Sequence, residues 1–580
     1  MCIFEDRKEA RDMETIERRY PVGIQTFERL RTGGYVYVDK TDIVWEMTRA
    51  AVFVFLSRPR RFGKSLLTTT LESYFQGRKD LFEGLKINEY EKEWVEYPVI
   101  RLDLSQAKDM GNATELRRRI LMLLKDYAEI YGSEEGEDLP GGMLRGLIKR
   151  AYRQTGRQVV VIIDEYDAPL LSVLHDERLD EYRSVMQEMY SILKANEAYI
   201  KFCFLTGVTK FSQLSIFSAM NNIMNVTLDR RFSTVCGITE EELETTLWPD
   251  VEILAKEYDC TAEEMREMLR DRYDGYHFAG DLRGVYNPFS LFKAFAQMMI
   301  GNYWFESGTP SYLIRQMQKY DTDITAMDRL EVPETAFDKP TEAMDDALPL
   351  LYQCGYLTIK DYDREGGVYT LSIPNREVRI GYSDNLLPIY VGVKGDTVQT
   401  GFALTFWRAL KRRDIDCAME SMKTFLAGVP YVEGFKKKLA QAATAEGFYE
   451  YTMYLIFSML NVYCRTQVKC KGGRTDVVVT LADTTWVFEL KVNGTGESAL
   501  AEISKNSLFL RCSSSSKSSF TSVNSGFDES SAWKNQVFSN PRDNGRGYYL
   551  PYKAEGRKVV KVGVEFEQET MTVGRWKVEQ

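Results

Sequence analysis

Residues 54–70 read VFLSRPRRFGKSLLTTT. An apolar run comes first, a basic loop follows, and a segment with the apolar spacing of a helix ends the stretch. The loop closes with Gly63, Lys64 and Ser65, the residue types that a phosphate-binding loop uses for its turn, its phosphate contact and its Mg²⁺ ligand. Arg58 stands where such loops normally have their first glycine, so the following proline must supply the turn. Taken alone, the stretch leaves a nucleotide site and a look-alike loop open.

A second stretch, VVVIIDEYD at residues 159–167, favours the nucleotide site. It predicts a buried strand ending in two carboxylates, which is costly unless they meet a cation or a polar cleft. Asp164 is predicted to hold Mg²⁺, and Glu165 to orient and deprotonate an attacking water. The next predicted strand ends at Thr206 and Thr209, where many ATPases sense the γ-phosphate; ordinary turn threonines are the alternative.

The predicted nucleotide-binding residues lie in these three places. They are Arg58, Pro59, Arg60, Arg61, Phe62, Gly63, Lys64, Ser65, Asp164 and Thr206. Ser65 and Asp164 are the predicted ligands of the nucleotide's Mg²⁺. The loop arginines are expected to bind phosphate oxygens or a neighbouring subunit's nucleotide, with surface ion pairs as the alternative.

Residues 472–492, GGRTDVVVTLADTTWVFELKV, predict a β-hairpin. If the turn centres on residues 482–483, Asp476 lies directly opposite Glu489, and Lys491 shares the face of Glu489. Two facing carboxylates destabilise a hairpin through repulsion, but beside a lysine they suit a divalent-metal site. A register shift of one residue would put the two acids on opposite faces, and a plain surface hairpin is the alternative.

The helix predicted before this hairpin offers one more acid, Glu446, with Glu450 one turn on as the alternative. The predicted catalytic residues are Glu165, Glu446, Asp476, Glu489 and Lys491. Asp476 and Glu489 are also the predicted ligands of a second Mg²⁺. Carboxylates of this kind hold a metal that activates water for phosphodiester hydrolysis.

Composition limits the other options. The 580 residues include only two histidines, which excludes metal sites built from several histidines. Nine cysteines are scattered without a CxxC pair, so a disulfide scaffold or zinc site is not expected. A net charge of −10 argues against nonspecific nucleic-acid packaging. No apolar run is long enough for a membrane span, and the charged N-terminus lacks a signal peptide, so we predict a cytoplasmic protein without a membrane partner.

The pattern of predicted helices and strands changes twice along the chain. Short apolar runs alternate with amphipathic segments over residues 35–207, which predicts a parallel sheet flanked by helices. Helical segments with aromatic-rich turns follow and end in a predicted hairpin around residues 366–367. Strand-like runs dominate after residue 463, and a serine-dense passage lies within residues 504–543, where periodicity vanishes.

Together these motifs resemble a bacterial family of predicted AAA-ATPase-like proteins that carry a C-terminal PD-(D/E)XK nuclease domain. The resemblance rests on YPVGIQTFERLRTGGYVYVDKT, FLSRPRRFGKSLL, VVVIIDEYD, FLTGVTKFSQLSIFS, YDGYHF, YNPFSL, LSIPNREV, GRTDVVV and FELKV. The loop form SRPRRFGKS, without its first glycine, is the family's own version. One departure is ALAEI at residues 499–503, where Glu502 replaces the usual glutamine and the serine-rich insertion follows.

The resemblance implies an α/β multidomain fold: a P-loop ASCE-type parallel sheet with flanking helices, a helical middle with a small β-wing, and a restriction-endonuclease-like α/β domain. The implied divisions are an N-terminal extension (1–19), an AAA-ATPase-like domain (20–237), a helical and winged subdomain (238–375), a helical linker (376–430) and a nuclease-like domain (431–580) with its insertion at about 504–543.

The implied cofactors are ATP and Mg²⁺, and the implied partner is nucleic acid, DNA before RNA. Homo-oligomers are common on this fold, which is an argument by analogy. The predicted function is an ATP-binding and ATP-hydrolysing protein whose nucleotide cycle controls a Mg²⁺-dependent nuclease, in mobile-element or defence biology. The alternative is a nucleotide-driven switch whose C-terminal domain binds nucleic acid without cutting it, because the insertion falls beside the nuclease residues.

Overall fold

The computed structural model describes most of the N-terminal two thirds of the chain and the strands of its C-terminal part. The described residues are 18–174, 176–209, 222–307, 317, 327, 329–335, 347–382, 396–427, 453, 463–470, 473–481, 484–492, 558–567 and 572–579. The chain divides into two compact units, residues 1–378 and residues 379–580. Among the described residues, no helix is long and apolar enough to cross a membrane.

A parallel five-stranded sheet forms the centre of the first unit. Its strands are β1 (Phe53–Ser57), β2 (Val99–Asp103), β3 (Val159–Asp164), β4 (Ile200–Gly207) and β5 (Met224–Asn225), in the spatial order β2-β3-β4-β1-β5. β3 is buried at all six positions, as its continuous apolar sequence predicts for a strand covered on both faces. The predicted parallel sheet is therefore confirmed, and β4 lies between the strand of the basic loop and the strand of the carboxylates.

Helices cover this sheet. They are α1 (Phe27–Thr32), α2 (Thr41–Ala50), α3 (Lys64–Phe75), α4 (Ile87–Tyr90), α5 (Ala113–Tyr131), α6 (Pro140–Thr155), α7 (Ala168–Leu171) and α8 (Leu179–Ala195). The longest, α5, begins where the Asn112 side chain accepts a hydrogen bond from the Glu115 N–H group. α5, α6 and α8 bury one apolar face each against β2, β3 and β4, which forms a single core.

The middle region belongs to the same unit. Its helices are α9 (Glu240–Thr246), α10 (Trp248–Glu257), α11 (Ala262–Tyr273), α12 (Pro288–Gln297) and α13 (Leu348–Gln353). α9 and α11 each start with a capping box, Thr239 with Glu242 and Thr261 with Glu264. The short strands β6 (Tyr276–His277) and β7 (Gly284–Val285) pair antiparallel.

The predicted wing is a three-stranded antiparallel sheet. It consists of β8 (Leu330–Pro333), β9 (Thr358–Asp363) and β10 (Val368–Ser372), with β10 in the centre. The predicted hairpin is β9 and β10, whose turn includes Gly367 at a φ of 61°. The third strand, β8, was not predicted.

The second unit contains α14 (Asp396–Lys411), α15 (Ile415–Ala427) and a five-stranded mixed sheet. Its strands run in spatial order β11 (Tyr463–Cys470), β12 (Gly473–Leu481), β13 (Thr484–Val492), β14 (Lys558–Glu567) and β15 (Thr572–Glu579). The pairs Leu481–Thr484 and Val477–Phe488 confirm the predicted hairpin register between β12 and β13. β13 and β14 pair in parallel along nine residues although residues 493–557 separate them in sequence. Glu446 and the insertion at 504–543 lie outside the described residues.

Candidate functional site

The basic loop connects the end of β1 to the start of α3. Gly63 caps α3 with a φ of 93°, a left-handed conformation that favours glycine, and Arg61 has a φ of 71°. The first N–H groups of α3 have no partner inside the helix, and the helix dipole adds partial positive charge there. Lys64 is 4% exposed, and its Nζ donates a hydrogen bond to the Pro59 carbonyl oxygen at 3.1 Å. The loop therefore combines an anion-attracting helix start with a lysine folded back along it.

Arg58, which replaces the usual glycine, is a buried support of the loop. Its side chain is 1% exposed, and its Nη atoms donate to the carbonyl oxygens of Ser57 (2.8 Å), Thr227 (2.9 Å) and Phe232 (3.0 Å). Its guanidinium also lies 4.4 Å from the ring centroid of Phe278. Burial lowers the pKa of Arg58. Both Nη groups are bonded to backbone carbonyl oxygens. Arg58 therefore does not form the surface ion pair that the sequence left open as an alternative.

The other two loop arginines have different surroundings. The Arg61 guanidinium lies 4.4 Å from the ring centroid of Phe289. Arg60 is exposed, while its carbonyl oxygen accepts a hydrogen bond from Trp304 Nε1 at 3.4 Å. Of the three arginines, Arg60 is the exposed one, whereas Arg58 is buried and Arg61 is half-buried.

Asp164 ends β3 beside the start of α3. It is 1% exposed, its Oδ2 accepts a hydrogen bond from Thr68 Oγ1 at 3.4 Å, and its Oδ1 accepts one from the Glu165 N–H group at 3.0 Å. Burial raises the pKa of Asp164, the hydrogen bond from Ser65 lowers it, and the charge of Glu165 raises it. The structure thus brings Ser65 and Asp164 together.

Glu165 follows Asp164 in a strained backbone conformation. Its φ is 51°, which is uncommon for a residue other than glycine, asparagine or aspartate. Such conformations cost about 1–3 kcal/mol and cluster at functional sites. The turn leaves the Glu165 side chain partly exposed at the carboxyl end of β3, where the open edge of a parallel sheet binds ligands.

A further carboxylate, Asp103, was not singled out from the sequence. It is the last residue of β2, directly beside Asp164 in the parallel pairing of β2 with β3. Its side chain accepts a hydrogen bond from the Ser105 N–H group at 3.0 Å. The sequence VIRLD at residues 99–103 could have predicted it. An acidic residue at the end of a buried strand indicates a polar or cation-binding position there, as it does at the end of β3.

Thr206 and Thr209 both donate their hydroxyl groups to the scaffold. Thr206 Oγ1 donates to the Leu56 carbonyl oxygen of β1 at 2.8 Å, and Thr209 Oγ1 donates to Asp167 Oδ2 at 2.6 Å. Asp167 Oδ2 also accepts the Thr209 N–H group at 2.6 Å, and burial raises the pKa of this carboxyl. Phosphate sensing by Thr206 stays a prediction, because its hydroxyl holds β4 to β1 in the structure.

Aromatic and small residues of the middle region pack on the loop. The ring of Phe62 lies 4.7 Å from that of Tyr276 and 5.2 Å from that of Phe278, both from the YDGYHF motif. Gly355 has a φ of 87°, and a Cβ added there would lie 2.7 Å from Pro59 Cβ. The YDGYHF and QCGY segments thus fix the shape of a loop that is hundreds of residues away in sequence.

In the second unit, β13 carries the predicted hairpin residues. Glu489 is 3% exposed, and its Oε1 lies 3.8 Å from Lys491 Nζ. Asp476 belongs to β12 and directly precedes Val477, whose partner is Phe488; the pairing of Asp476 with Glu489 stays a prediction. The neighbouring strand β14 adds Glu565, the parallel partner of Lys491, which the sequence reading missed. Within the described ranges, no group of three or more acidic, cysteine or histidine side chains forms a ready metal cluster.

Two family models match the chain. One, described as Predicted AAA-ATPase, covers residues 21–217 and includes the basic loop and the carboxylates after β3. The other, described as PD-(D/E)XK nuclease superfamily, covers residues 444–520 and includes Glu446, Asp476, Glu489 and Lys491. Both matched families are the ones that the resemblance of the motifs predicted.

A protein of Azotobacter chroococcum mcd 1, "Uncharacterized protein in vnfD 5'region", is 32% identical over 486 residues, which is 82% of this chain and 89% of that protein. Among solved structures, Drosophila ORC bound to poly(dA/dT) DNA and Cdc6 is 10% identical with a TM-score of 0.23, covering 76% of this chain and 70% of that one. Drosophila ORC bound to GC-rich DNA and Cdc6 is 11% identical with a TM-score of 0.19, covering 75% and 70%. These two TM-scores are too low to establish a shared fold.

Proposed function

Because the chain belongs to the family of predicted AAA-ATPase proteins with a C-terminal PD-(D/E)XK nuclease-superfamily domain, we propose that it hydrolyses ATP and that its nucleotide cycle controls a Mg²⁺-dependent nuclease acting on DNA. The observation that carries the proposal is the meeting of Lys64, Ser65 and Thr68 at the start of α3 with Asp164 at the tip of β3. A hydroxyl and a carboxylate beside a positively polarised helix start suit a nucleotide with its metal.

In this proposal, each residue at the sheet edge has a role in ATP hydrolysis. The N–H groups of the loop and Lys64 bind the phosphates, and Ser65 and Asp164 would hold Mg²⁺, which neutralises phosphate charge when bound. Glu165 orients the attacking water and accepts its proton. Arg60 approaches the phosphates from the accessible side of the loop, since its head group is exposed.

The hairpin residues have roles in phosphodiester hydrolysis. Asp476 and Glu489 would hold Mg²⁺, which supplies an activated water when bound. Carboxylate oxygens suit Mg²⁺ as ligands. A carboxylate as buried as that of Glu489 is stable only with a cation or hydrogen-bond donors nearby. Lys491 stabilises charge that develops at the phosphate, and Glu446 is proposed as a further acid of the same site.

One experiment tests the proposed ATPase activity and the proposed nuclease activity together. ATP hydrolysis and plasmid cleavage are measured with Mg²⁺ on the full chain, on Lys64→Ala and on Asp476→Ala. Lys64→Ala should lower ATP hydrolysis by about 10²-fold or more and reduce cleavage, while Asp476→Ala should abolish cleavage and leave ATP hydrolysis unchanged. Lys79→Ala and Glu420→Ala, at exposed positions, are the matched controls.

The outcome separates this function from its alternative. If cleavage persists in Asp476→Ala combined with Lys491→Ala, the nuclease assignment fails. If no Mg²⁺ condition yields cleavage products while Lys64→Ala still abolishes a nucleotide-dependent change in DNA binding, the protein is a nucleotide-driven switch with a non-cleaving C-terminal domain. The serine-rich sequence between β13 and β14 motivates this alternative, because it interrupts the nuclease domain right after its active-site strand.

A further inference from the structure

The turn that follows β3 is bonded to the end of β4. The Tyr166 N–H group donates to the Thr206 carbonyl oxygen at 3.1 Å, and the Tyr166 hydroxyl donates to the Thr209 carbonyl oxygen at 2.9 Å. The Tyr190 hydroxyl donates to the Tyr166 carbonyl oxygen at 3.1 Å, and the Tyr166 side chain is fully buried. The residue that follows Glu165 is therefore held through its N–H, carbonyl and hydroxyl groups.

Asp167 makes three further hydrogen bonds to the same segment. Its Oδ2 accepts the Val208 N–H group at 3.1 Å, the Thr209 N–H group at 2.6 Å and the Thr209 hydroxyl at 2.6 Å. The Asp167 side chain is fully buried, and hydrogen bonds are stronger in the low dielectric of a protein interior than in water. Asp167 thus fixes residues 208–209 to the turn after β3.

Gly207, the last residue of β4, makes room for Asp167. A Cβ added at Gly207 would lie 2.3 Å from Asp167 Oδ1 and 2.7 Å from Tyr166 Cδ1. Both distances are well below a van der Waals contact, so an alanine at this position would displace the carboxylate from β4. A glycine within a strand often marks such a close approach of another segment. The small size of residue 207 is thus a condition for the hydrogen bonds of Asp167.

Glu165 lies between two anchored neighbours. Its φ of 51° is uncommon for a glutamate, and such conformations persist only where the surrounding structure determines them. On one side, its N–H group donates to Asp164 Oδ1 at 3.0 Å. On the other side, Tyr166 and Asp167 are bonded to the end of β4, and the Glu165 carbonyl oxygen accepts the Ala168 N–H group at 3.0 Å. The backbone conformation of Glu165 therefore depends on the bonds of the residues that follow it.

We propose that Asp167 is a positioning residue for Glu165: by binding the end of β4, it fixes the turn that presents the Glu165 carboxylate to the attacking water. The proposal rests on the proposed function, because it assumes that Glu165 is the base of ATP hydrolysis. It adds Asp167 and Gly207 to the residues on which the rate of hydrolysis depends, although neither is expected to touch the nucleotide.

The first test measures steady-state ATP hydrolysis by the full-length protein with Mg²⁺. Asp167→Ala should lower kcat by at least about tenfold and change KM by less than about twofold, because it moves the base and not the phosphate loop. Calorimetry with a non-hydrolysable ATP analogue should give the stoichiometry of wild type, which shows that the fraction of folded protein is unchanged. Asp138→Ala, at an exposed position, is the matched control and should change neither constant.

A double-mutant cycle with Glu165→Gln shows whether Asp167 acts through Glu165. In single-turnover hydrolysis, Glu165→Gln alone should lower the rate by about 10²-fold or more. Once residue 165 is glutamine, Asp167→Ala should lower the rate by no more than about threefold further, because the group that it positions is already lost. A structural role that is independent of Glu165 would instead multiply the two losses, and that result would overturn the proposal.

Two further variants cover the case that Asp167→Ala does not fold, which thermal melting detects. Asp167→Asn keeps a carbonyl oxygen for all three donors and should stay within about threefold of the wild-type rate. Gly207→Ala displaces the carboxylate and should lower kcat by at least about tenfold, whereas its matched control Gly142→Ala, whose added Cβ has no neighbour within 4 Å, should not. Equal rates for folded Gly207→Ala and Gly142→Ala, or a loss in Asp167→Asn as large as in Asp167→Ala, would overturn the role of these hydrogen bonds.

The outcomes separate this proposal from the proposed function. If Glu165→Gln abolishes hydrolysis while folded Asp167→Ala keeps the wild-type kcat, the positioning role fails and the proposed function stands. If the wild type does not hydrolyse ATP, or if Glu165→Gln hydrolyses it as fast as wild type, the proposed role of Glu165 fails and the role of Asp167 fails with it.

Discussion

At the scale of single residues, three arginines in one loop have three different environments. Arg58 is buried and bound to backbone carbonyl oxygens, Arg61 lies over the ring of Phe289, and Arg60 is exposed. From the sequence all three had the same predicted roles, phosphate contact or a surface ion pair, although only Arg58 stands at the place of the usual first glycine. The structure separates a support of the loop from a candidate for phosphate contact.

We therefore predict that Arg60→Ala lowers ATP hydrolysis by about 10²- to 10³-fold, because a guanidinium beside the phosphates stabilises charge that develops during transfer. Lys79→Ala, at an exposed position outside the loop, is the matched control and should stay within about threefold of wild type. The measurement is the steady-state rate of ATP hydrolysis of folded protein. Unchanged hydrolysis in Arg60→Ala would contradict this role.

Mixing the inactive variants shows where Arg60 acts. If Arg60 contacts a neighbouring subunit's nucleotide, a mixture of Arg60→Ala with Lys64→Ala should recover part of the hydrolysis rate, because mixed neighbours combine an intact loop lysine with an intact arginine. If Arg60 contacts its own subunit's nucleotide, the mixture should stay as inactive as its components.

At the scale of elements, the strands that the sequence predicted are those with a clear pattern of buried apolar residues. β1 to β4 were expected because each is a short apolar run, and β12 and β13 were expected with their register because a symmetric turn determines it. β15 was not predicted, although Arg575 and Lys577 alternate with less exposed residues, which is the pattern of a half-buried strand at the edge of a sheet. The contacts of Trp304, Gly355 and Phe278 with the phosphate loop could not be predicted, because no local pattern specifies partners so distant in sequence.

Glu377 connects two elements of the middle region through a buried carboxylate. Its Oε1 accepts the N–H groups of Tyr303 (2.6 Å) and Trp304 (3.0 Å), and Trp304 in turn donates to the Arg60 carbonyl oxygen. Burial raises the pKa of Glu377 from 4.5 to about 7. The folded state therefore keeps this proton between about pH 4.5 and 7 while the unfolded state has lost it.

It follows that Glu377 makes the protein less stable as the pH rises from about 4.5 to 7, because the unfolded state binds fewer protons over that range. Glu377→Gln should remove this contribution, of about 2–3 kcal/mol, and so flatten the pH dependence relative to wild type. Thermal unfolding across this pH range measures the difference, with the exposed Glu365→Gln as control. Parallel curves for wild type and Glu377→Gln would refute the assignment.

At the scale of the whole molecule, one chain carries a match to a predicted AAA-ATPase family in its first compact unit and a match to the PD-(D/E)XK nuclease superfamily in its second. Control of one by the other requires that the nucleotide state changes nuclease activity. We predict that plasmid cleavage with Mg²⁺ is faster with ATP than with ADP, and that Lys64→Ala removes this difference because it no longer binds either nucleotide.

A non-hydrolysable ATP analogue tells how the control operates. If the cleavage rate with the analogue equals the rate with ATP, binding alone activates the nuclease. If it equals the rate with ADP, hydrolysis is required. Cleavage that is the same with every nucleotide and without nucleotide would contradict any coupling between the two activities.

The parallel pairing of β13 with β14 has a consequence during synthesis. Glu489 and Lys491 leave the ribosome about 75 residues before the end of β14, the strand that pairs directly with theirs. At about 5–20 residues per second, that interval is roughly 4–15 s. During that interval β13 has no β14 to pair with, whereas residues 1–378 have already been translated, so the first unit can begin to fold earlier. The order of translation therefore lets the first unit fold before the sheet of the second unit can be completed.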